Sequence, residues 1–244
     1  MLIKQSLEQE EVVLKMEEFE QCLLDYGVNN NFNGSEFALD LRNKNVRNMV
    51  DFIKNKRLPN LEKLWISTNK ENGDITNKFL EKNLPNTMDK LYFYSNDGVK
   101  FQSDLSLYLD RLLPSIKKVK ECFFIDYFYL SKEYLRKIFK AGAHLDTIVI
   151  YRCLIDSEMY DFEEMDYSIK NLYLYSIGCA SLANWKVNPK RFEGFIKGLS
   201  KTDIRKSLEH MSIWNWDYEI TEAKNVLELY GMGHVTITID KYTF

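Results

Sequence analysis

The sequence predicts an α/β fold in which parallel strands alternate with helices and stack in chain order as a right-handed solenoid. Three observations carry that expectation. An apolar-x-x-apolar-x-apolar block recurs along the chain, and recurrence at a near-regular interval marks stacked supersecondary units. All but one of the stretches between blocks carry apolar residues at helical spacing, so these intervals read as strand, helix and return to a parallel strand. Pro59, Pro85 and Pro114 each follow a leucine at the expected end of a helix, where a residue without an N–H stops the ladder ahead of the next strand.

Taken in order, Ser6 to Tyr26 reads as an amphipathic helix. Ser6-x-x-Gln9 matches a capping box, and Leu7, Val13, Met16, Phe19, Leu23 and Leu24 form its apolar stripe. Residues 1–34 are assigned as an N-terminal capping helix and loop, because the first strand of a stack needs a cover. Residues 35–244 are the repeated body of about eight irregular units. The first strand centres on Leu39-x-Leu41, and the helix after it, Asn45 to Asn55, carries Val46, Met49, Val50 and Ile53 on one face.

The next two strands come from matching segments: Leu58-Pro59-Asn60-Leu61-Glu62-Lys63-Leu64-Trp65-Ile66 and Leu84-Pro85-Asn86-Thr87-Met88-Asp89-Lys90-Leu91-Tyr92-Phe93. A helix over Ile75 to Asn83 joins them. Each is followed three residues on by an asparagine, Asn69 and Asn96, whose amide can satisfy backbone groups where the chain bends out of the sheet. Helices are expected over Asp104 to Leu113 and Ser131 to Ala141, and the strand between them has two registers. With Val119 as its middle apolar position Glu121 would point inward; with Cys122 there the charge stays outside, so Cys122 is assigned.

The block returns as Leu145-x-x-Ile148-x-Ile150 ahead of Cys153, as Ile169-x-x-Leu172-x-Leu174, as Leu208-x-x-Met211-x-Ile213 and as Met232-x-x-Val235-x-Ile237. Helices over Pro189 to Leu199 and Thr221 to Tyr230 complete the series. Cys153 stands where an asparagine would, as a small buried hydrophobe.

These blocks resemble the unit of the leucine-rich-repeat family, L-x-x-L-x-L-x-x-N/C-x-L, over residues 36 to 240. The Asn or Cys is kept in three of eight units, and the middle positions from Leu39 to Val235 recur at a mean of about 28 residues. That spacing is similar to the longer, helix-bearing class of the family, the ribonuclease-inhibitor-like class. The resemblance implies strands on a concave face, helices on a convex face, and an inner face that holds a protein partner.

Composition narrows the function. With 33 basic and 36 acidic residues the net charge is -3, which argues against a broad electrostatic hold on nucleic acid or anionic lipid. No apolar run reaches the ~18–20 residues of a bilayer span, and Met1 leads into a charged stretch, so a cytoplasmic location is expected. Cys22, Cys122, Cys153 and Cys179 are widely spaced, which predicts neither a disulfide framework nor a zinc site. His210 and His234 precede the middle positions of consecutive units as lateral neighbours, yet two histidines without a third ligand make a poor metal site. Phosphate-loop, nucleophile-elbow, zincin, EF-hand and dinucleotide motifs are missing, so the expectation is a non-enzymatic protein with no cofactor and no metal.

In this register the outward strand positions form two columns. One runs Asp40, Trp65, Tyr92, Phe123, Val149, Tyr173, Ser212, Thr236, and its neighbour runs Arg42, Ser67, Tyr94, Ile125, Tyr151, Tyr175, Trp214, Thr238. Adjacent strands lie about 4.8 Å apart, which brings Trp65, Tyr92, Tyr94, Tyr151, Tyr173, Tyr175 and Trp214 into one patch. Grouped aromatics serve protein interfaces as anchors because they give large contact area at small entropic cost. The expected function is therefore a protein-interaction or scaffold subunit. The competing expectation is a structural subunit of a cytoskeletal or organellar assembly, held by its convex helices and by association along the C-terminal strand edge.

Overall fold

A computed structural model describes residues 12–28, 32–33, 35–54, 56–97, 103–155, 169–175, 189–214 and 219–240. The first layer holds β1 (Val12–Val13), α1 (Met16–Asp25), β2 (Phe32–Asn33), β3 (Glu36–Asp40), α2 (Lys44–Phe52) and β4 (Lys56–Arg57). Then follow β5 (Lys63–Thr68), α3 (Gly73–Lys82), β6 (Met88–Ser95), β7 (Ser103–Asp104), α4 (Leu109–Ile116), β8 (Val119–Asp126), β9 (Phe128–Leu130), α5 (Lys132–Ala141), β10 (Thr147–Tyr151) and β11 (Leu154–Ile155). The last part holds β12 (Asn171–Tyr175), α6 (Pro189–Ser200), α7 (Ile204–Ser207), β13 (His210–Trp214), α8 (Ile220–Leu229) and β14 (Thr236–Asp240).

The architecture is α/β. Nine strands form one sheet in the order β14-β13-β12-β10-β8-β6-β5-β3-β2, and every neighbouring pair is parallel except β2 with β3. The eight parallel strands thus lie side by side in chain order. Such neighbours need a crossover between them, and among the described residues a helix supplies it for every neighbouring pair of the eight except β10 and β12. A short parallel ladder, β11-β9-β7, and the pair β1-β4 complete the strands.

One row of the sheet explains why these segments are strands. Phe37, Leu64, Leu91, Phe123, Ile148, Leu172, Met211 and Ile237 are register partners, all buried. Each such side chain contributes roughly 1.5–3 kcal/mol of hydrophobic stabilisation. The helices bury their apolar stripes against the same row: Val46, Met49 and Val50 from α2, Phe79 and Leu80 from α3, Leu135, Ile138 and Phe139 from α5, all in one core. Caps set the starts, with the Asn43 side chain accepting from Asn45 N at 2.8 Å and Ser131 Oγ accepting from Tyr134 N at 3.3 Å.

Several expectations require correction. Val13 belongs to β1, and the helix begins only at Met16; paired β-branched residues bond along Arg57 instead, with Leu14 N donating to Arg57 O at 2.8 Å. The capping box at Ser6 lies outside the described residues. α1 nevertheless covers β3, because the Phe19 ring meets Phe37 edge-on at 4.8 Å. The helix predicted from Asp104 is split into a 3-10 turn over Leu105–Leu107, capped by Asp104, and α4, which runs through Pro114 to Ile116. Burial of Leu112 and Ile116 rewards that continuation, and Ser115 Oγ donates to Arg111 O at 2.7 Å inside the same turn. Pro59 follows β4 rather than a helix end.

The register assigned at Cys122 is also overturned. Phe123, not Cys122, pairs with Leu91 and Ile148, because a bulge places one more residue on β8 than on β6 between Met88↔Val119 and Lys90↔Cys122. Val119 and Phe123 are thereby both buried while the Glu121 side chain stays 59% exposed. The first and last units shift by two residues, with Phe37 and Ile237, not Leu39 and Val235, in the core row. Asn69 caps the 3-10 turn Lys70–Asn72, accepting from Asn72 N at 3.0 Å. The Asn96 amide instead lies against Arg42, and with its oxygen turned toward the guanidinium it accepts at 2.8 and 3.1 Å. Cys153 is fully buried, its Sγ bonded to Ile125 O at 3.7 Å. No helix among the described residues is long and apolar enough to cross a membrane.

Candidate functional site

Strand alternation sends the neighbours of the core row to the other side of the sheet. In the observed register one outward row is Ala38, Trp65, Tyr92, Phe124, Val149, Tyr173, Ser212 and Thr238. The next is Asp40, Ser67, Tyr94, Asp126, Tyr151, Tyr175, Trp214 and Asp240. All seven predicted aromatics therefore fall in these rows: Trp65, Tyr92 and Tyr173 in the first, Tyr94, Tyr151, Tyr175 and Trp214 in the second. The bulge in β8 exchanges Phe123 and Ile125 for Phe124 and Asp126, and Asp40 and Thr238 each move one row.

Three of these rings, with Phe124, make a continuous run. Trp65 and Tyr92 stack, Tyr92 meets Phe124 at 5.4 Å, and Phe124 meets Tyr151 at 5.9 Å. Further along, Tyr173 lies 5.5 Å from the His210 ring. Each of these aromatics is half-buried, and burial within the band raises the Tyr92 hydroxyl above its ordinary pKa.

Beside the band lies a cluster that sequence reasoning missed. The Arg152 guanidinium sits 4.0 Å from the Tyr127 ring and 4.3 Å from the Tyr151 ring. Its Nε donates to Asp126 Oδ1 at 3.1 Å, a second nitrogen pairs with Asp126 Oδ2, and a third donates to the Tyr127 hydroxyl at 2.8 Å. Tyr127 and Arg152 both take left-handed backbone, with φ of 61° and 44°. Such conformations cost non-glycine residues about 1–3 kcal/mol and persist where the surroundings over-determine them. Here the stacked guanidinium and the ion pair do so. Burial dominates the environment of Asp126 and pushes its carboxyl up to about 6, against the pull of Arg152.

Three further ion pairs lie on this face. Arg42 grips Asp40 at 2.6 Å and holds that carboxyl below the usual carboxylate range. Lys63 pairs with Glu36 across the strands, and Lys90 lies 3.9 Å from Glu121. Burial pushes the Cys122 thiol up to about 11, which keeps it protonated and weakly nucleophilic. His210 pairs with Thr236 in register, so it is not the lateral neighbour of His234 that the spacing predicts. His144 bonds Val119 O at 2.7 Å. Among the described residues no group of three or more His, Cys, Asp or Glu could hold a metal ion. The face thus offers apolar area and fixed hydrogen-bonding groups rather than a strong field.

No family model, curated protein or solved structure matches the chain.

Proposed function

We propose that the chain is a leucine-rich-repeat-like solenoid, strands on a concave side and helices on a convex side, acting as a non-catalytic protein-interaction or scaffold subunit. Its partner is a protein, docked on Trp65, Tyr92, Tyr94, Tyr151, Tyr173, Tyr175 and Trp214. One observation carries this reading: four rings from four consecutive strands touch in series, from Trp65 through Tyr92 and Phe124 to Tyr151. An apolar band of this kind on an outward face serves association better than it serves solubility. Arg152 extends it as an anchor already held in place by Asp126 and two tyrosines, the residue types in which binding energy concentrates.

Replacing Trp65, Tyr92 and Tyr173 together with Ser tests the site. Partner capture from lysate is expected to disappear while circular dichroism stays unchanged, and undiminished capture refutes the site. A second reading, assembly through the margin of the sheet, has its own support. β14 pairs on one side only among the described residues, and α8, which packs on it, leaves Ile220 41% and Leu229 69% exposed. Cross-links concentrated on α8 and β14, with none on the aromatic band, would favour it.

A further inference from the structure

A different surface lies at the N-terminal end of the sheet. A cleft of about 770 Å³ opens between α1 and the end of α2. Leu14, Cys22, Tyr26 and Phe52 supply its apolar lining. Phe52 is left 57% exposed although it lies 5.7 Å from the Tyr26 ring, so the cleft presents an aromatic wall to solvent. Lys56, which also lines the cleft, holds its ammonium over the Phe52 ring, 5.6 Å from the centroid.

The helical period explains the wall chemistry. Residues three and four apart share a face, so Glu17, Glu18, Gln21 and Asp25 of α1 line the cleft while Phe19 and Leu23 turn into the core. Gln21 Nε2 donates to Asp25 Oδ1 at 2.7 Å and holds that carboxylate in place. Among the lining residues, the carboxylates of Glu17, Glu18 and Asp25 face the single ammonium of Lys56. The cleft is therefore apolar at its floor and anionic along one rim.

That charge pattern selects the occupant. A small molecule would gain little orientation from carboxylates set on a rim, whereas a helix can lay apolar side chains along the floor and cations along the edge. Residues 1–11 of this chain are a poor fit, because Glu8, Glu10 and Glu11 outnumber Lys4 and carry the sign of the rim. We propose that the cleft between α1 and α2 docks an amphipathic helical segment of a partner protein. Its large apolar side chains pack on Phe52 and Tyr26, and its Lys or Arg side chains meet Glu17, Glu18 and Asp25. This site is independent of the aromatic band.

The test titrates the full chain into a short fluorescein-labelled amphipathic helix of leucine, phenylalanine and lysine, read by anisotropy at physiological salt. A scrambled isomer and an analogue with Glu in place of Lys serve as controls. The lysine helix is expected to bind, with Phe52→Ser and the pair Glu18→Lys with Asp25→Lys each weakening it about tenfold or more. Both variants should keep the wild-type circular dichroism, since Phe52, Glu18 and Asp25 are exposed. Tyr92→Ser should leave binding unchanged. Absence of binding, equal binding of the scrambled isomer, or equal affinity in the cleft variants overturns the proposal. So does a peptide that binds only after residues 1–11 are removed, because the chain's own segment would then be the occupant.

Discussion

Trp65 and Tyr92, register partners on β5 and β6, lie ring on ring with centroids 3.6 Å apart and planes within 2° of parallel. The stack joins the two segments of the sequence that match each other best, and it joins them on the outward face. Aromatic pairs add roughly 0.5–1.5 kcal/mol beyond the area they bury. A double-mutant cycle of Trp65→Ala and Tyr92→Ala in urea denaturation should return a coupling of about that size. Additive losses would mean that the rings are adjacent without interacting.

The register of β8 makes a sharper prediction. Phe123 is fully buried in the core row, while Cys122 is half-buried on the other side of the strand. Phe123→Ala should cost about 3–5 kcal/mol, because a large ring leaves a cavity that the neighbouring strands cannot close. Cys122→Ala removes only a small side chain and should cost less than about 1 kcal/mol. The opposite ranking in denaturant midpoints would restore the register read from the sequence.

Much of the fold was legible because burial on one face of a parallel strand writes a fixed pattern. Leu64, Leu91, Ile148, Leu172 and Met211 were placed in the row they occupy, and the strand neighbours Trp65, Tyr92 and Tyr173 followed from them. The bulge was not legible, since the extra residue on β8 is fixed by pairing with β6 and leaves no local trace. Nor was the group of Asp126, Tyr127 and Arg152, which depends on left-handed backbone at residues whose propensity opposes it. At Pro114 the usual rule for proline lost to burial of the turn that follows.

Asn83 ties successive layers together. Buried just after α3, its Nδ2 donates to Ile53 O at 2.7 Å and to Lys56 O at 3.1 Å, closing the turn that follows α2. Asn83→Ala would leave Ile53 O with only the Lys56 amide and take this donor from Lys56 O, and an acceptor left unsatisfied inside the fold costs about 1–3 kcal/mol. Equilibrium unfolding should show that loss. Hydrogen exchange should also rise at Lys56 and Leu58, whose amides bond Ile53 O and Asn83 O.

The last prediction concerns Asp126, whose side chain is 4% exposed beneath Arg152. Burial raises its pKa from 3.8 to about 6, so the folded protein holds a proton that the unfolded chain has already released. A raised carboxyl favours folding most below its unfolded value and loses that contribution as pH rises through the folded one. Stability linked to this group should therefore fall from acid toward neutral pH, over the window from 3.8 to about 6, by on the order of 3 kcal/mol. Asp126→Asn should remove that slope, and carboxyl NMR should place the wild-type midpoint near 6. Protonation has the opposite consequence for the binding face. A neutral carboxyl no longer grips the guanidinium, so Arg152 is freer to leave the cleft between the Tyr127 and Tyr151 rings, and partner capture should weaken as pH drops below about 6. A midpoint at or below 3.8 would show that the pull of Arg152 outweighs burial, and both effects would vanish together.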